Sequence, residues 1–493
     1  MTKWIEWLHG FPEFTSNYFH PLPTQNMTRL SQFVIYWLVL TAGLQTSNLL
    51  AAQGDWPTYR GDNARSGIQT ESLAPPLKSI WKHVPAYPPR PAWQGEAKWD
   101  GWNKVYDLKH RQDFDHAFHV VGDGKLLFYG SSSEDKVVCL DAASGKIRWV
   151  FYTEGPVRLA PTLVDSSLFV GSDDGHVYRL GAADGSLEWK ALLGPKDYRI
   201  PGNGRMISAW PARTGVVVQG DLAYAGVGMF PSEGVFVCAI KTSTGEVVWK
   251  TEQNDLPAQG YLVASRSRLY VPTGRNNPVV LDITDGKREQ VIDGDGGSYA
   301  LLTNDALVFG PGKTGQLRWV EPGTSDQLAT FQGNHMIVYR GHSYLHSDTE
   351  LQAIDRERYL ELARQRRDLY AYRQKLNDTL KQIKKEGAET AEEKASSIQK
   401  ELVDLARSLD QIGQDMQGCL LWKELCEYPL SLILSGDVLY TGGKDKVGAF
   451  DAASGRLLWS HPVEGRALGL ASTGGRLLVS TDRGVIHCFA PEG

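Results

Sequence analysis

Five side chains that could bind a metal ion lie close together in the sequence: His110, Asp113, Asp115, His116 and His119. Imidazole and carboxylate groups are common zinc ligands. However, residues 114–121 read as a β-strand, in which positions three apart face opposite sides of the sheet. His116 and His119 should therefore diverge. The pattern favours polar groups that line a channel or the surface, and the sequence predicts neither a metal site nor a catalytic residue here.

A second set of polar residues falls on strands that are expected to face a central channel. The candidates for a channel or ligand site are Asp115, Arg158, Arg205, Ser208, Gln259, His335 and Arg466. Two interpretations fit them. They either bind a small molecule or peptide, or they hydrate and pair with one another in a wet channel, and the second is favoured. No nucleophile–base motif such as Gly-x-Ser-x-Gly accompanies them.

The five cysteines give no sign of a cofactor attachment site. Cys139, Cys238 and Cys488 lie in apolar strands, where a small buried side chain is the simplest explanation. Cys419 and Cys426 are near enough in sequence to be considered as a disulfide pair, and the sequence leaves this open. A net charge of −5 on 493 residues, without a long basic run, argues against a nucleic-acid-binding protein.

The candidate channel residues belong to a chain with a repeated pattern. In a complete repeat a strand ends in a short turn, and the turn leads into a strand that contains a tryptophan. Asp141–Gly145 before Trp149 and Asp451–Gly455 before Trp459 are the clearest copies, and eight copies can be placed, most of them about forty residues apart. That period predicts the four-stranded blades of an all-β propeller. Asp bonds to the turn backbone, Gly supplies the left-handed conformation, and Trp fills the wedge between neighbouring sheets. The residues expected to form this tryptophan docking are Trp81, Asp141, Gly145, Trp149, Gly185, Trp189, Gly245, Trp249, Trp422, Asp451, Gly455 and Trp459.

The two ends of the chain complement each other. The last copy of the repeat lacks its tryptophan strand, and residues 77–82, which include Trp81, look like that missing strand. We therefore expect an N-terminal strand to pair with the C-terminal blade and to remove its open edge. The predicted fold is an eight-bladed β-propeller closed by an N-terminal strand.

The turn and tryptophan of Asp141–Trp149 and Asp451–Trp459 resemble the tryptophan-docking motif of eight-bladed propellers with repeats of the pyrroloquinoline quinone (PQQ) type. This family includes quinoprotein alcohol dehydrogenase-like and BamB-like members, and Asp55–Gly61 is similar to the first residues of exported bacterial members. The resemblance covers residues 55–355 and 417–493. It implies the fold more strongly than any chemistry, because the repeats are architectural.

For dehydrogenases of this type, the resemblance implies PQQ and a calcium ion in the central funnel, with carboxylate and amide ligands and adjacent cysteines. This sequence has no Cys-Cys dipeptide, and an ordered set of Glu, Asn and Asp ligands cannot be aligned. No cofactor is therefore predicted. A PQQ-dependent oxidoreductase that uses the funnel with calcium is the alternative.

Residues 356–416 interrupt the repeats with a charged stretch that contains no proline. Leu362, Leu369, Leu376 and Ile383 are seven apart, and from Ile398 to Met416 apolar residues alternate steps of four and three. Two helices joined around Gly387 are expected to form an antiparallel coiled-coil hairpin. It is either a self-packed insertion or an arm that binds a protein partner, and the heptads do not distinguish these.

Residues 1–54 form a leader. The stretch from Met27 to Ala52 has the charged and apolar regions of a signal peptide, with cleavage expected near Ala51 or Ala52 and translation starting at Met27. An uncleaved membrane anchor is the competing interpretation, although its apolar part is short for a span. Either way the sequence predicts an exported, periplasmic or cell-envelope protein of bacterial type. It is expected to act as a scaffold that binds a protein through the propeller face or the hairpin.

Overall fold

The computed structural model describes residues 54–93, 99–100, 105–106, 113–202, 204–274, 276–294, 296, 299–304, 306–311, 315–321, 327–386 and 391–492. Residues 1–53 of the predicted leader, His110 and the predicted helix break at Gly387 fall outside these ranges. The rest is mostly β-structure, which agrees with the predicted all-β, propeller-type fold.

Short strands make up most of the described chain. The strands of its first half are β1 (Ile68–Gln69), β2 (Leu77–His83), β3 (Trp99–Asp100), β4 (Val105–Tyr106), β5 (Val121–Gly122), β6 (Leu126–Ser131), β7 (Lys136–Asp141), β8 (Ile147–Tyr152), β9 (Thr162–Val164), β10 (Ser167–Gly171), β11 (His176–Gly181), β12 (Leu187–Leu192), β13 (Arg199–Gly202), β14 (Arg205–Ser208), β15 (Thr214–Gly215), β16 (Val217–Gln219), β17 (Leu222–Val227), β18 (Val235–Lys241) and β19 (Val247–Gln253).

The second half contains further strands and two long helices. The strands are β20 (Gly260–Tyr261), β21 (Val263–Ala264), β22 (Arg268–Thr273), β23 (Asn276–Asp282), β24 (Arg288–Val291), β25 (Tyr299–Leu302), β26 (Leu307–Gly310), β27 (Gln316–Val320), β28 (Gln327–Gln332), β29 (His335–Tyr339), β30 (His342–His346), β31 (Glu350–Asp355), β32 (Leu420–Leu425), β33 (Ser431–Ser435), β34 (Val438–Gly442), β35 (Lys444–Asp451), β36 (Leu457–Thr473), β37 (Arg476–Thr481) and β38 (Ile486–Pro491). The helices are α1 (Arg356–Glu386) and α2 (Ala391–Gln417).

The strands assemble mainly into sheets of four antiparallel neighbours. Within the described ranges there are six such sheets, β5–β8, β9–β12, β16–β19, β21–β24, β25–β28 and β29–β32. An eight-stranded sheet has the order β1-β33-β34-β35-β36-β37-β38-β2. The long strand β36 pairs with β35 through its first half and with β37 through its second half. The hydrophobic core lies on both faces of these sheets, because their second and third strands are buried along most of their length.

The N-terminal strand pairs with the last strand, as the sequence predicted for these two segments. Strand β2 is antiparallel to β38, with Ser79 opposite Phe489 and Trp81 opposite Cys488. A bulge between Ser79 and Trp81 shifts the register. The pairing covers the edge of β38 that would otherwise be free to bind another strand.

A segment before β2, residues 54–69, runs past the first strand of sheet after sheet. Backbone bonds join Trp56 to Gly122 of β5, Pro57 to Leu163 of β9 and Asn63 to Ala264 of β21. Further bonds reach the first strands of the other sheets, from Asn63 to Val218, Ala64 to Leu302, Arg60 to Met336, Gly67 to Leu434 and Gly54 to Thr473. We call residues 54–69 the lining segment. The first strands converge on it, since one short segment bonds to all of them.

The two helices are inserted between β31 and β32, neighbouring strands of one sheet. Arg366 of α1 contacts Met416 of α2, and Tyr372 bonds to Glu401, so the helices run antiparallel. The heptad positions Leu376, Leu405, Leu409 and Met416 are among the least exposed residues of the pair. None of the helices that the model describes is long and apolar enough to cross a membrane.

The base of α1 packs against the neighbouring sheet β25–β28. The Arg356 guanidinium lies over the Trp319 ring at 4.5 Å and donates to Thr303 Oγ1 at 3.0 Å. Tyr359 makes an edge contact with Trp319, and Leu360 is buried in the same cluster. Hydrophobic and cation–π contacts therefore anchor the hairpin to the propeller where it begins.

Residues 114–120 are not in a strand, which corrects the expectation for this stretch. Residues 113–116 form a turn in which the His116 amide donates to the Asp113 carbonyl, and only Val121–Gly122 pair as β5. Phe114 and Phe118 are buried in two different hydrophobic clusters. Phe114 and Phe118 therefore pack into different parts of the core, and this stretch does not pair as a strand.

Candidate functional site

Asp115 and Arg158, two of the residues singled out in the sequence, meet in a buried group of charges. Arg158 Nη1 donates to Asp115 Oδ2 at 3.1 Å, and its Nε donates to Asp173 Oδ2 at 2.6 Å. Arg213 binds both oxygens of Asp173 at 3.0 Å. We call Asp115, Arg158, Asp173 and Arg213 the buried ion cluster. All four side chains are at most 2% exposed.

The positions of these residues follow from the strand order. Asp115 precedes β5, Arg158 lies between β8 and β9, Asp173 follows β10, and Arg213 precedes β15. The ion cluster therefore joins the ends of three consecutive sheets. Further bonds from Arg158 Nη1 to the Arg90 carbonyl and from the Ala92 amide to Asp115 Oδ2 bring in the chain after β2.

Charge pairing outweighs desolvation within the cluster. Burial alone would raise the pKa of the Asp173 carboxyl, but the Arg213 and Arg158 charges hold that pKa below its usual value. Burial would likewise lower the pKa of Arg158, while Asp173 and Asp115 raise it. The charged forms of both residues are therefore favoured, so the cluster is a set of ion pairs rather than a proton donor.

The next residue, Asp174, is a second buried carboxylate and is held by hydrogen bonds. It accepts from the His176 amide at 2.9 Å, Tyr178 Oη at 2.5 Å and the Glu154 amide at 3.0 Å. Burial would raise its pKa, but the bonds from His176 and Tyr178 keep the pKa below its usual value. Asp174 thus fastens the β10–β11 turn to the preceding sheet.

The other candidates from the sequence have separate partners. Arg205 lies on the β13–β14 hairpin and pairs with Asp135, and Gln259 is held by backbone bonds to Pro272. His335 lies in β29 beside the ring of His346, at 6.2 Å between centroids. Arg466 is exposed in β36, where its amide donates to Asp482. Ser208 is buried next to the ion cluster, and its amide donates to the Asp173 carbonyl at 2.7 Å.

His119 of the possible metal cluster contacts aromatic rings. The ring of His119 makes an edge contact with Tyr59 of the lining segment at 5.0 Å, and Tyr59 stacks on Tyr261 at 3.6 Å. Burial lowers the pKa of His119 to about 4, because desolvation disfavours the imidazolium. Among the described residues, no group of three or more His, Cys, Asp or Glu side chains is placed to hold a metal ion.

The ion cluster can be tested against the calcium and quinone site that the resemblance implied. Calcium requires six to eight oxygen ligands, usually including carboxylates. Asp115 and Asp173 both already accept bonds from guanidinium groups, and a cation beside them would be repelled by Arg158 and Arg213. This donor set does not fit a calcium ion.

The predicted docking tryptophans lie between neighbouring sheets. The Trp149 indole donates to the Ala182 carbonyl at 3.0 Å and lies against Gly185, and Trp189 donates to Thr242 at 2.8 Å beside Gly245. The same arrangement joins Trp81 to Ala142 and Gly145, Trp249 to Ile283 and Gly286, and Trp422 to Ala452 and Gly455. Trp459 contacts Phe489 edge to face at 5.4 Å. The turns begin as expected, since Asp141 and Asp451 accept bonds from Ser144 and Ser454.

We predict that Gly185→Ala destabilises the protein by about 2–3 kcal/mol, because it combines backbone strain with overpacking. Gly185 has a φ of 72°, and an added Cβ would lie 2.6 Å from Trp149 Cε3. Denaturant unfolding followed by tryptophan fluorescence measures the change. Gly220→Ala is the matched control, since Gly220 has a φ of 59° but no atom within 4 Å of an added Cβ. Equal losses in both variants would contradict a role for the tryptophan contact.

The five cysteines are all free and buried, so Cys419 and Cys426 form no disulfide. Burial raises the pKa of Cys139 to about 12 and that of Cys426 to about 11, which suppresses their thiolates.

Two members of the ion cluster, Asp173 and Arg213, were not identified as candidate site residues from the sequence. Asp173 sits in the turn Ser172–Gly175, whose composition signals a turn but no buried charge. Arg213 is preceded by an apolar stretch that gives no signal at all. Which charged residues pair in the ion cluster depends on how three sheets meet, and a periodic sequence pattern does not encode that.

Comparison with known proteins agrees with the fold. The family model described as outer membrane protein assembly factor BamB matches residues 80–234, 204–358 and 420–493. The outer membrane protein assembly factor BamB of Moranella endobia is 22% identical over 304 residues, which cover 56% of this chain and 74% of that protein. Tetrathionate hydrolase of Acidithiobacillus ferrooxidans is 22% identical over 212 residues, covering 42% of this chain and only 36% of that enzyme.

A solved structure is similar over most of the chain. The quinohemoprotein alcohol dehydrogenase of Comamonas testosteroni superposes with a TM-score of 0.58, covering 90% of this chain and 82% of that chain at 13% identity. At this identity the similarity shows the fold alone.

Proposed function

The chain belongs to the family of PQQ-type repeat propellers represented by the outer membrane protein assembly factor BamB. We propose that it is an exported, non-catalytic scaffold that binds a protein partner. Residues 55–355 and 417–493 form the propeller, residues 356–416 form the binding arm, and residues 27–52 are a signal peptide. The exported scaffold acts in the periplasm or cell envelope.

We propose that the propeller has eight blades and is closed by β2. The six four-stranded sheets, together with the two halves of the eight-stranded sheet, support this number. The pairing of β2 with β38 supports closure. The convergence of all the first strands on the lining segment supports their arrangement around one axis.

The observation that carries the non-catalytic assignment is the position of Arg158 between Asp115 and Asp173. A quinoprotein dehydrogenase would need carboxylates that are available to a calcium ion. In this chain, arginines from neighbouring sheets neutralise these two carboxylates. Their role is to join sheets, which leaves surfaces outside the channel to provide the function.

The hairpin is the surface best suited to binding. It extends from the propeller on a helix of 31 residues, about 46 Å at the usual rise per residue. Tyr370, Tyr372 and Val403 are exposed on it by 45%, 43% and 53%. Exposed aromatic residues on a rigidly anchored support are typical of protein-binding surfaces. The name of the matched relative, an outer membrane protein assembly factor, supports a role in an assembly.

A PQQ-dependent oxidoreductase remains the second candidate, since the fold is also that of a quinohemoprotein alcohol dehydrogenase. Titrating the purified protein with PQQ and Ca²⁺ separates the two. We expect neither a saturable quinone absorbance change nor a rise in the unfolding midpoint. A ligand at a hundred times its Kd would stabilise the protein by about 2.7 kcal/mol. A saturable rise of that size would reject the scaffold proposal in favour of the oxidoreductase.

A further inference from the structure

A cleft of about 620 Å³ lies between α1 and α2 at the end of the hairpin nearest the propeller. Tyr359, Arg366, Tyr370 and Arg373 line it from α1, and Gly413 lines it from α2. Its volume is in the range of ordinary ligand-binding pockets.

Within the described ranges, the two arginines of this cleft have no acidic partner. No carboxylate of the described residues lies within 4.0 Å of Arg366 or Arg373, whereas Arg364 and Arg367 of the same helix both pair with Glu321. Among the described residues, Arg366 contacts Tyr370 Oη at 3.5 Å and Met416 Sδ at 3.9 Å, and its guanidinium lies 5.6 Å from the centre of the Tyr370 ring. Its Nε is buried and has no acceptor in the described part of the chain. A buried donor without an acceptor is costly in a folded protein, so a ligand that supplies an acceptor here would gain a favourable hydrogen bond.

Gly413 is a second, independent sign of a binding site. A glycine inside a helix lowers helix stability, and close packing usually explains its presence. Here an added Cβ would meet no atom within 4 Å. Packing therefore does not require the glycine. Because Gly413 has no side chain, the cleft stays open at this position.

Deepening the proposed scaffold function, on which this step rests, we propose that the cleft binds an acidic, extended segment of the protein partner. Arg366 and Arg373 are two helical turns apart, or about 10.5 Å along the axis. Carboxylates four residues apart on an extended peptide lie on the same side at a spacing of about 13 Å, which the long, flexible arginine side chains can match. Guanidinium groups bind carboxylates through paired hydrogen bonds, and the rings of Tyr359 and Tyr370 contact apolar side chains between them.

The cleft also carries one opposing charge, Asp410 of α2. It faces the arginines across the cleft without pairing with them, so the positive wall belongs to α1. Two spaced carboxylates of a peptide can each pair with one of the two arginines, whereas a single phosphate presents its charge at one point. The geometry therefore favours a peptide over a lipid headgroup.

The full-length protein is titrated into a fluorescein-labelled decapeptide with two Glu residues four apart and one Phe midway between them, so that the three side chains share one side of the extended peptide. We expect saturable fluorescence anisotropy that weakens as salt rises. The double variant Arg366→Gln/Arg373→Gln should weaken binding at least tenfold. Gly413→Leu, which fills the cleft and favours the helix, should weaken it similarly. Arg407→Gln is the matched control and should change the Kd less than twofold, because Arg407 is 77% exposed and outside the cleft.

Circular dichroism shows whether each variant keeps its helix content. Equal binding of a peptide with Gln in place of Glu, or equal affinity of the wild type and the arginine variants, would overturn the acidic-segment proposal. Displacement of the peptide by inorganic phosphate, or stronger binding to vesicles of phosphatidylglycerol and phosphatidylcholine, would overturn it in favour of a phosphate ligand. The PQQ titration is independent of all these outcomes, so failure of the peptide site and failure of the scaffold function are distinguishable.

Discussion

Replacing Arg158 by methionine is expected to lower the free energy of unfolding by about 3–5 kcal/mol, because it leaves a buried charge without its partner. Asp173 keeps two bonds from Arg213 in this variant. Asp115 keeps only the Ala92 amide, and its Oδ1 already has no donor among the described residues. The cost therefore comes from Asp115. Denaturant unfolding monitored by fluorescence and far-ultraviolet circular dichroism measures it.

A second change should restore part of this loss. The double variant Arg158→Met/Asp115→Asn removes the stranded charge and should be more stable than Arg158→Met alone. Arg268→Met is the control, since Arg268 pairs with Glu289 where both side chains are about one-third exposed, and such pairs contribute about 0–1 kcal/mol. If Arg158→Met cost no more than Arg268→Met, the ion cluster would not hold the sheets together as we describe.

Replacing Arg60 by alanine should cost about 3–5 kcal/mol, because buried carbonyls on several strands lose their donor at about 1–3 kcal/mol each. Arg60 Nη1 donates to the Leu432 carbonyl at 2.9 Å and Nη2 to the Met336 carbonyl at 3.2 Å. Its Nε donates to the Arg65 carbonyl at 3.0 Å. The side chain thus ties the lining segment to two neighbouring sheets. Unfolding in urea gives the change in free energy.

Arg407→Ala is the matched control for this substitution, because the exposed Arg407 side chain bonds only to Asp404 on its own helix. We expect that variant to differ from the wild type by less than about 0.5 kcal/mol. Arg60→Lys should fall between the two, since an ammonium group cannot reach the carbonyls with the geometry of a guanidinium. A loss below about 1 kcal/mol for Arg60→Ala would contradict the bridging role.

The repeat made much of the fold predictable from the sequence. Turns such as Asp141–Gly145 and tryptophans such as Trp149 recur because each blade solves the same local problem, a tight reversal followed by a ring that fills the gap to the next sheet. The resemblance to PQQ-type repeats is confirmed by the family match. Helices α1 and α2 occupy Arg356–Glu386 and Ala391–Gln417, and a heptad pattern such as theirs is hard to confuse with strands.

What lies between the repeats could not be predicted in the same way. Trp319 occupies a third strand instead of a docking position, and the base of α1 packs on it through Arg356 and Tyr359. This contact forms where the insertion leaves its own sheet and passes beside the neighbouring sheet β25–β28. The local sequence pattern does not show that the base of α1 packs against Trp319.

The candidate site was predictable only in part for a related reason. Asp115 and Arg158 stood out as polar residues on strands expected to face a channel, but their partners Asp173 and Arg213 come from other sheets. Arg205 and Arg466 looked equivalent in sequence and lie on a surface hairpin and an exposed strand. Burial of a charged residue depends on which sheet ends meet, and this is a tertiary property.

The meeting of β2 with β38 has a consequence for how the molecule is made. Ser79 pairs with Phe489, which is synthesised about four hundred residues later. Thr473 likewise bonds to Gly54 at a separation of 419 residues. Contacts so distant along the chain form slowly, since a long loop has to close first. The residues of β2 must therefore stay unpaired until β38 has been synthesised, and a helper that shields them during this interval would raise the yield of native protein.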